Sequence, residues 1–82
     1  MGSSIGMRPI AAEIFENYAV AIDYETAGTV YIGIAEIGSA TTDPAWQIRR
    51  FTYTTKKLQI EFANGSDAFN QIWDGRIGLT YV

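Results

Sequence analysis

The sequence predicts a mainly β fold: a small antiparallel β-sandwich or barrel, with one short helix before the last strand and an extended N-terminal arm. Three observations carry this. Five runs of strand length alternate large and small or apolar and polar residues, or are apolar on both faces. Clusters of Gly, Asp, Asn and Pro separate them at short intervals. Within residues 18–82 only the stretch around Phe69 places apolar residues at helical spacing.

Residues 1–17 read as an arm and 18–82 as a single β-rich domain. Gly2, Ser3, Ser4 and Gly6 loosen the start, and Arg8-Pro9 favours an extended backbone. Residues 10–16, IAAEIFE, either form about two helical turns with Ile10, Ile14 and Phe15 on one side or continue the extended arm. Tyr18 to Glu25 then alternates Tyr18, Val20, Ile22 and Tyr24 against Ala19, Ala21 and Asp23, a strand with one large and one small face.

After the Thr26-Ala27-Gly28 turn, Thr29 to Ile37 is apolar on both faces, which suits a central strand. Gly33 inside it implies a bulge or an aromatic ring lying across the backbone. Residues 38–45, GSATTDPA, form a loop with Asp43-Pro44 as its turn. Trp46 to Thr54 and Leu58 to Ala63 alternate again and make a hairpin. Past Asn64-Gly65, Ser66 or Asp67 is placed to cap a short helix with Phe69, Ile72 and Trp73 on one stripe. Asp74-Gly75 ends that helix, with Asp74 capping turn amides and Arg76 within reach of Asp74 for an exposed pair worth at most about 1 kcal/mol. Ile77 to Val82, including Leu79 and Tyr81, closes the sheet as a last strand.

Composition limits function. A chain of 82 residues buries only about 60% of its unfolded surface and needs support, yet it has no Cys for a disulfide and no His for a common zinc site. Oligomerisation or docking on a partner is the remaining support. Charged residues are only 18% and aromatics 13%, which fits either an interface-rich surface or the bulky filling of a small β core. The net charge of −3 argues against nucleic acid as a partner. It is uneven: residues 1–44 hold Arg8 against six acids, net −5, and residues 45–82 hold five bases against three acids, net +2. That split permits head-to-tail contact between copies, and is also within what a short chain shows by chance. No run reaches the roughly 20 apolar residues of a membrane span, and the N-terminus lacks the pattern of a signal peptide or a myristoylation site.

Without His or Cys the usual general base and soft nucleophile are missing. The carboxylates are scattered at strand ends and turns, so neither a catalytic pair nor a metal site is expected, and no cofactor. Asn64, Ser66, Asp67 and Asn70 only faintly resemble a calcium loop and read as a turn and cap. Arg49 and Arg50 point to opposite faces of their strand and make no single basic patch. Trp46 and Trp73 suit either core packing or sugar stacking; the stripe that Trp73 shares with Phe69 and Ile72 favours the core.

The stretches YIGIAEIGSATTDPAWQIRRF and IEFANGSDAFNQIWDGRIGLTY resemble a group of small tailed-phage virion-associated proteins. The shared pattern is Tyr31-x-Gly33-x-Ala35, then Gly38-Ser39-x-Thr41, Trp46-x-Ile48-Arg49, Ala63-x-Gly65 and a terminal Phe69-x-x-x-Trp73-Asp74-x-Arg76-x-x-Leu79-Thr80-Tyr81. It spans residues 31–82 and leaves the first 30 uncovered. Gly75 departs from the group, which more often has another small or a polar residue after the Trp-Asp. The resemblance implies a virion-associated role and no activity.

The expectation is therefore a non-enzymatic phage structural protein located in the virion, a capsid decoration or cement subunit or a tail-associated one. Its partners would be other virion proteins or further copies of itself. Trp46, Phe69, Ile72, Trp73, Asp74, Arg76, Leu79 and Tyr81 are expected to form core and turn, and Arg8, Ile10, Ile14, Phe15, Tyr31 and Tyr53 are candidate contacts. The alternatives are a small acidic inhibitor of a host or defence protein, or a tail-tip glycan-binding module using Trp46 or tyrosines.

Overall fold

The computed structural model of the chain describes residues 17–82. The possible helix over 10–16 and the candidate contacts Arg8, Ile10, Ile14 and Phe15 lie outside the described residues.

The alternating runs form strands β1 (Ala19–Asp23), β2 (Thr29–Ala35), β3 (Pro44–Tyr53) and β4 (Leu58–Phe62). A two-residue strand β5 (Gln71–Ile72) and a 3-10 helix over Trp73–Gly78 follow. Strands β1 to β4 lie side by side in chain order, and every pairing is antiparallel. Strand β5 takes up pairing with β3 at Pro44 and Trp46, where β4, which pairs with Arg49 to Tyr53, leaves off. The mainly β, antiparallel architecture with one short helix near the C-terminus is thus the one expected from the sequence.

The strands make one sheet, and the C-terminal segment is the layer that covers it. The register brings Ala21, Gly33 and Ile48 together across β1, β2 and β3. The same face carries Ala19, Ala35, Trp46 and Arg50, because side chains alternate along a strand. Trp73, Leu79 and Tyr81 pack onto it, and Ala35, Ile48 and Ala63 are fully buried beneath them. The small face of β1 is therefore its inner one.

Three expectations for the C-terminal third are corrected. Residues 66–70 are not helical: Asn64 and Gly65 take left-handed φ values of 55° and 65°, and the Ser66 hydroxyl accepts a hydrogen bond from the Ala68 amide at 3.1 Å. Such a local bond competes with the helix, and a helix of two turns has little cooperativity to resist it. The apolar stripe does not form either; Phe69 and Ile72 are each 43% exposed and only Trp73 is buried.

The helix begins where that stripe was expected to end, and it consumes Ile77 and Gly78, so the last strand shrinks to a bridge between Tyr81 and Ala63. Backbone bonds from Asn64 to Thr80 and between Phe62 and Val82 fix that bridge. Finally, Arg76 does not pair with Asp74. In a 3-10 helix successive residues are rotated by about 120°, so residues two apart point to different sides. Asp74 instead accepts from the Thr41 hydroxyl at 3.2 Å and donates its amide to the Thr41 carbonyl at 3.1 Å, which ties the helix to the loop before β3.

Candidate interaction surface

The covered face is built around two tryptophans. Trp46 enters from β3 and Trp73 from the start of the 3-10 helix, with ring centroids 6.0 Å apart and planes tilted by 41°. Gly33 gives them room, since a Cβ there would lie 2.6 Å from Trp73 Cε3. The Trp46 indole N–H donates to the Ala40 carbonyl at 2.9 Å, and the ring is only 2% exposed, so it offers no face to a sugar.

Arg76 closes the outer side of this cluster. Its guanidinium sits 4.5 Å from the Trp73 ring centroid and reaches back to Asp23 at the end of β1, at 2.8 and 2.9 Å. The Asp23 carboxyl is held below the ordinary carboxylate range, first by the Glu25 amide that it accepts and then by Arg76. A carboxyl depressed by folding stabilises fully above its unfolded value, near 4, and loses that contribution as pH falls through the folded value. Stability measured by urea unfolding is thus expected to drop below about pH 4. Asp23→Asn should lessen that drop; an unchanged acid limb in the variant would count against the pair.

Tyr81 lies under the same layer, tilted on Tyr31 with ring centroids 5.5 Å apart, and donates its hydroxyl to the Arg76 carbonyl at 2.8 Å. Burial first, and Tyr31 beside it second, push its phenol up to about 12. In the unfolded chain a phenol ionises near 10, so above that pH the unfolded state releases its proton first and stability falls. Tyr81→Phe is expected to remove the ionisation at about 12 from a spectrophotometric titration. It should also lose about 1 kcal/mol at neutral pH with the hydrogen bond.

The other face of the sheet has a different character. Val20, Ile22, Val30, Ile32, Phe51 and Ile60 share it by register, and Ile22 and Ile60 are 55% and 51% exposed. Arg49 lies on this face, 5.0 Å from the Phe62 ring centroid and donating to Gln47 Oε1 at 2.7 Å. Arg50, on the covered face, pairs with Glu61 at 2.7 Å, so the two arginines indeed separate.

Of the candidate contacts inside the described residues, Tyr53 is half exposed at the end of β3, whereas Tyr31 is occupied by Tyr81. Among the core and turn candidates, Trp46, Trp73 and Tyr81 are buried, Leu79 packs against them, and Asp74 and Arg76 hold the partners described above. Sequence reasoning missed Asp23, whose partner is 53 positions away, and the outward direction of Val20 and Ile22. Only the alternation of β1 pointed to the latter.

Among the described residues no group of three or more His, Cys, Asp or Glu is placed to hold a metal ion. Nor is any helix among them long and apolar enough to cross a membrane. Compared with known family models, curated proteins and solved structures, the chain shows no match.

Proposed function

We propose that the chain is a non-enzymatic structural subunit of a tailed-phage particle, a capsid decoration or cement protein or a tail-associated one. It would work through contacts with other virion proteins and with copies of itself. The observation that carries this reading is the balance of apolar surface: among the described residues seven hydrophobic side chains are buried while twelve large ones are exposed. Exposed apolar surface on that scale suits a chain whose final environment is another protein. The resemblance of residues 31–82 to virion-associated proteins supplies the kind of assembly.

The exposed residues also include Tyr24, Ile37, Ile77 and Val82, at 64–76% exposure. Residues of this type, ringed by polar neighbours, act as anchors in protein interfaces. Mass spectrometry of purified particles tests the reading, with the chain expected at high copy number and the isolated protein expected to self-associate in sedimentation. A monomer that stays free in the lysate with a host protein bound, and is missing from particles, would establish the inhibitor alternative instead.

A further inference from the structure

We infer that β1 of one copy pairs with β4 of a second copy, edge to edge and antiparallel, so that subunits join head to tail into one continuous sheet. This rests on the reading of the chain as a self-associating subunit and deepens it by naming the surface and the register.

Among the described residues β1 and β4 are the two edges of the main sheet. In an antiparallel ladder successive residues turn their N–H and C=O to opposite sides. The Tyr53 amide donates to the Gly28 carbonyl at 3.0 Å and the Ala63 amide to the Ile48 carbonyl at 2.9 Å, which sets that alternation for the whole sheet. In β1, Ala19, Ala21 and Asp23 therefore bond to β2, while Val20 and Ile22 present their backbone groups to the open edge. In β4, Gln59 and Glu61 bond to β3, while Leu58, Ile60 and Phe62 turn outward. Phe62 is satisfied by Val82 at 3.2 Å; Leu58 and Ile60 have no such partner among the described residues. Neither edge carries a proline or a register shift, the usual guards against pairing with another chain.

One register matches both edges. It sets Val20 opposite Ile60 of the second copy and Ile22 opposite its Leu58, each pair exchanging backbone hydrogen bonds, and leaves Phe62 with Val82. These side chains, 40–60% exposed, then meet on the outer face, which runs on from copy to copy and stays open. On the covered face the same register brings Lys57 of the second copy opposite Asp23 and next to Glu25. Its Gln59 comes opposite Ala21, at an open hollow of about 590 Å³ lined by Ala21, Asp23, Glu25, Trp73 and Arg76. The C-terminal layer stops short of this edge, and Gln59 fills the gap. Two β1 edges would bring only acids together, since residues 17–48 hold no Lys or Arg. The row Asp23, Tyr31, Arg50, Glu61 shows β4 staggered toward the C-terminal end of β1, and each added copy steps about four residues further the same way, as strands of a coiled sheet do.

The absence of cysteine permits a direct test on the full chain. Ala21→Cys and Gln59→Cys, made in separate chains of distinguishable mass, would face each other as a non-hydrogen-bonded pair with Cα atoms about 4.5 Å apart, within disulfide reach. On mild oxidation of the mixture, the mixed disulfide should make up most of the linked product. Ile22→Pro in the Ala21→Cys chain takes no bond from the sheet, because that N–H points outward, and should abolish the link while the Trp46 indole signal keeps its position. Lys57→Glu in the Gln59→Cys chain leaves the backbone alone and should slow the link at low salt. Linked product that is mainly Ala21→Cys with itself, or a link as fast with Lys57→Glu as without it, overturns the inference. So does association in sedimentation without any disulfide, which would move the contact elsewhere and leave the virion reading standing. A mixed disulfide from a chain that is missing from purified particles would defeat the virion reading and leave the edge pairing intact.

Discussion

Replacing Gly33 by valine is expected to leave little folded protein, and replacing it by alanine to lower the melting temperature by about 5–20 °C. The reason is space. Gly33 has no left-handed φ, so its backbone accepts any residue. A Cβ, however, would stand 2.6 and 2.8 Å from two atoms of Trp73 and 3.1 Å from Trp46. Neither ring is a flexible tip that moves aside. Trp46 is held by its bond to Ala40, and Trp73 is backed by Arg76, itself fixed to Asp23. Moving Trp73 therefore disturbs the ion pair as well as the core.

Overpacking by one methyl costs about 1–3 kcal/mol, and valine adds two further methyls in the same direction. An 82-residue chain has a total stability of about 4–12 kcal/mol, so the alanine variant survives and the valine variant stands at the limit. Combining Gly33→Ala with Trp73→Phe, which removes the ring atoms in the way, should be less damaging than the two separate losses added together. Additivity within about 0.5 kcal/mol would sink this account of the contact.

The strands were legible in the sequence because period-two alternation is a local property that survives without knowledge of the fold. Gly33 was legible for a related reason: a glycine within an apolar strand implies something large across it, and here that is Trp73. What stayed hidden depended on distant partners. In β1 the larger residues would ordinarily face the core, yet Trp46 and Trp73 already fill it, so Ala19 and Ala21 face in and Val20 and Ile22 face out. Phe69, Ile72 and Trp73 have helical spacing, but the backbone of β3 at Pro44 and Trp46 pairs with Gln71–Ile72 as a strand. Arg76 sits near Asp74 in sequence, while helix geometry sends it to Asp23. The apolar outer face, on which the functional reading rests, was visible only as a surplus of aromatic and aliphatic residues until the register assigned them to one side.

Trp46→Ala is expected to unfold the chain or leave it marginal, and this is the result that most sharply separates a structural tryptophan from a ligand-binding one. Truncating a buried tryptophan costs about 3–5 kcal/mol in lost transfer and cavity energy. The Ala40 carbonyl also loses the donor it meets at 2.9 Å, a further loss of about 1 kcal/mol. The combined loss approaches or exceeds the lower part of the stability range of a domain this size. Trp46→Phe keeps most of the apolar volume and gives up the N–H, so it should retain a cooperative urea transition at a reduced midpoint. If Trp46 stacked on a sugar, the alanine variant would instead keep its transition and lose only binding. That outcome requires an exposed ring; at 2% exposure, with Trp73 tilted against it and Gly33 opened to make room, the ring is part of what keeps the two layers together. Loss of the cooperative transition in Trp46→Ala, with its recovery in Trp46→Phe, would place Trp46 among the residues that present the outer surface without touching what binds there.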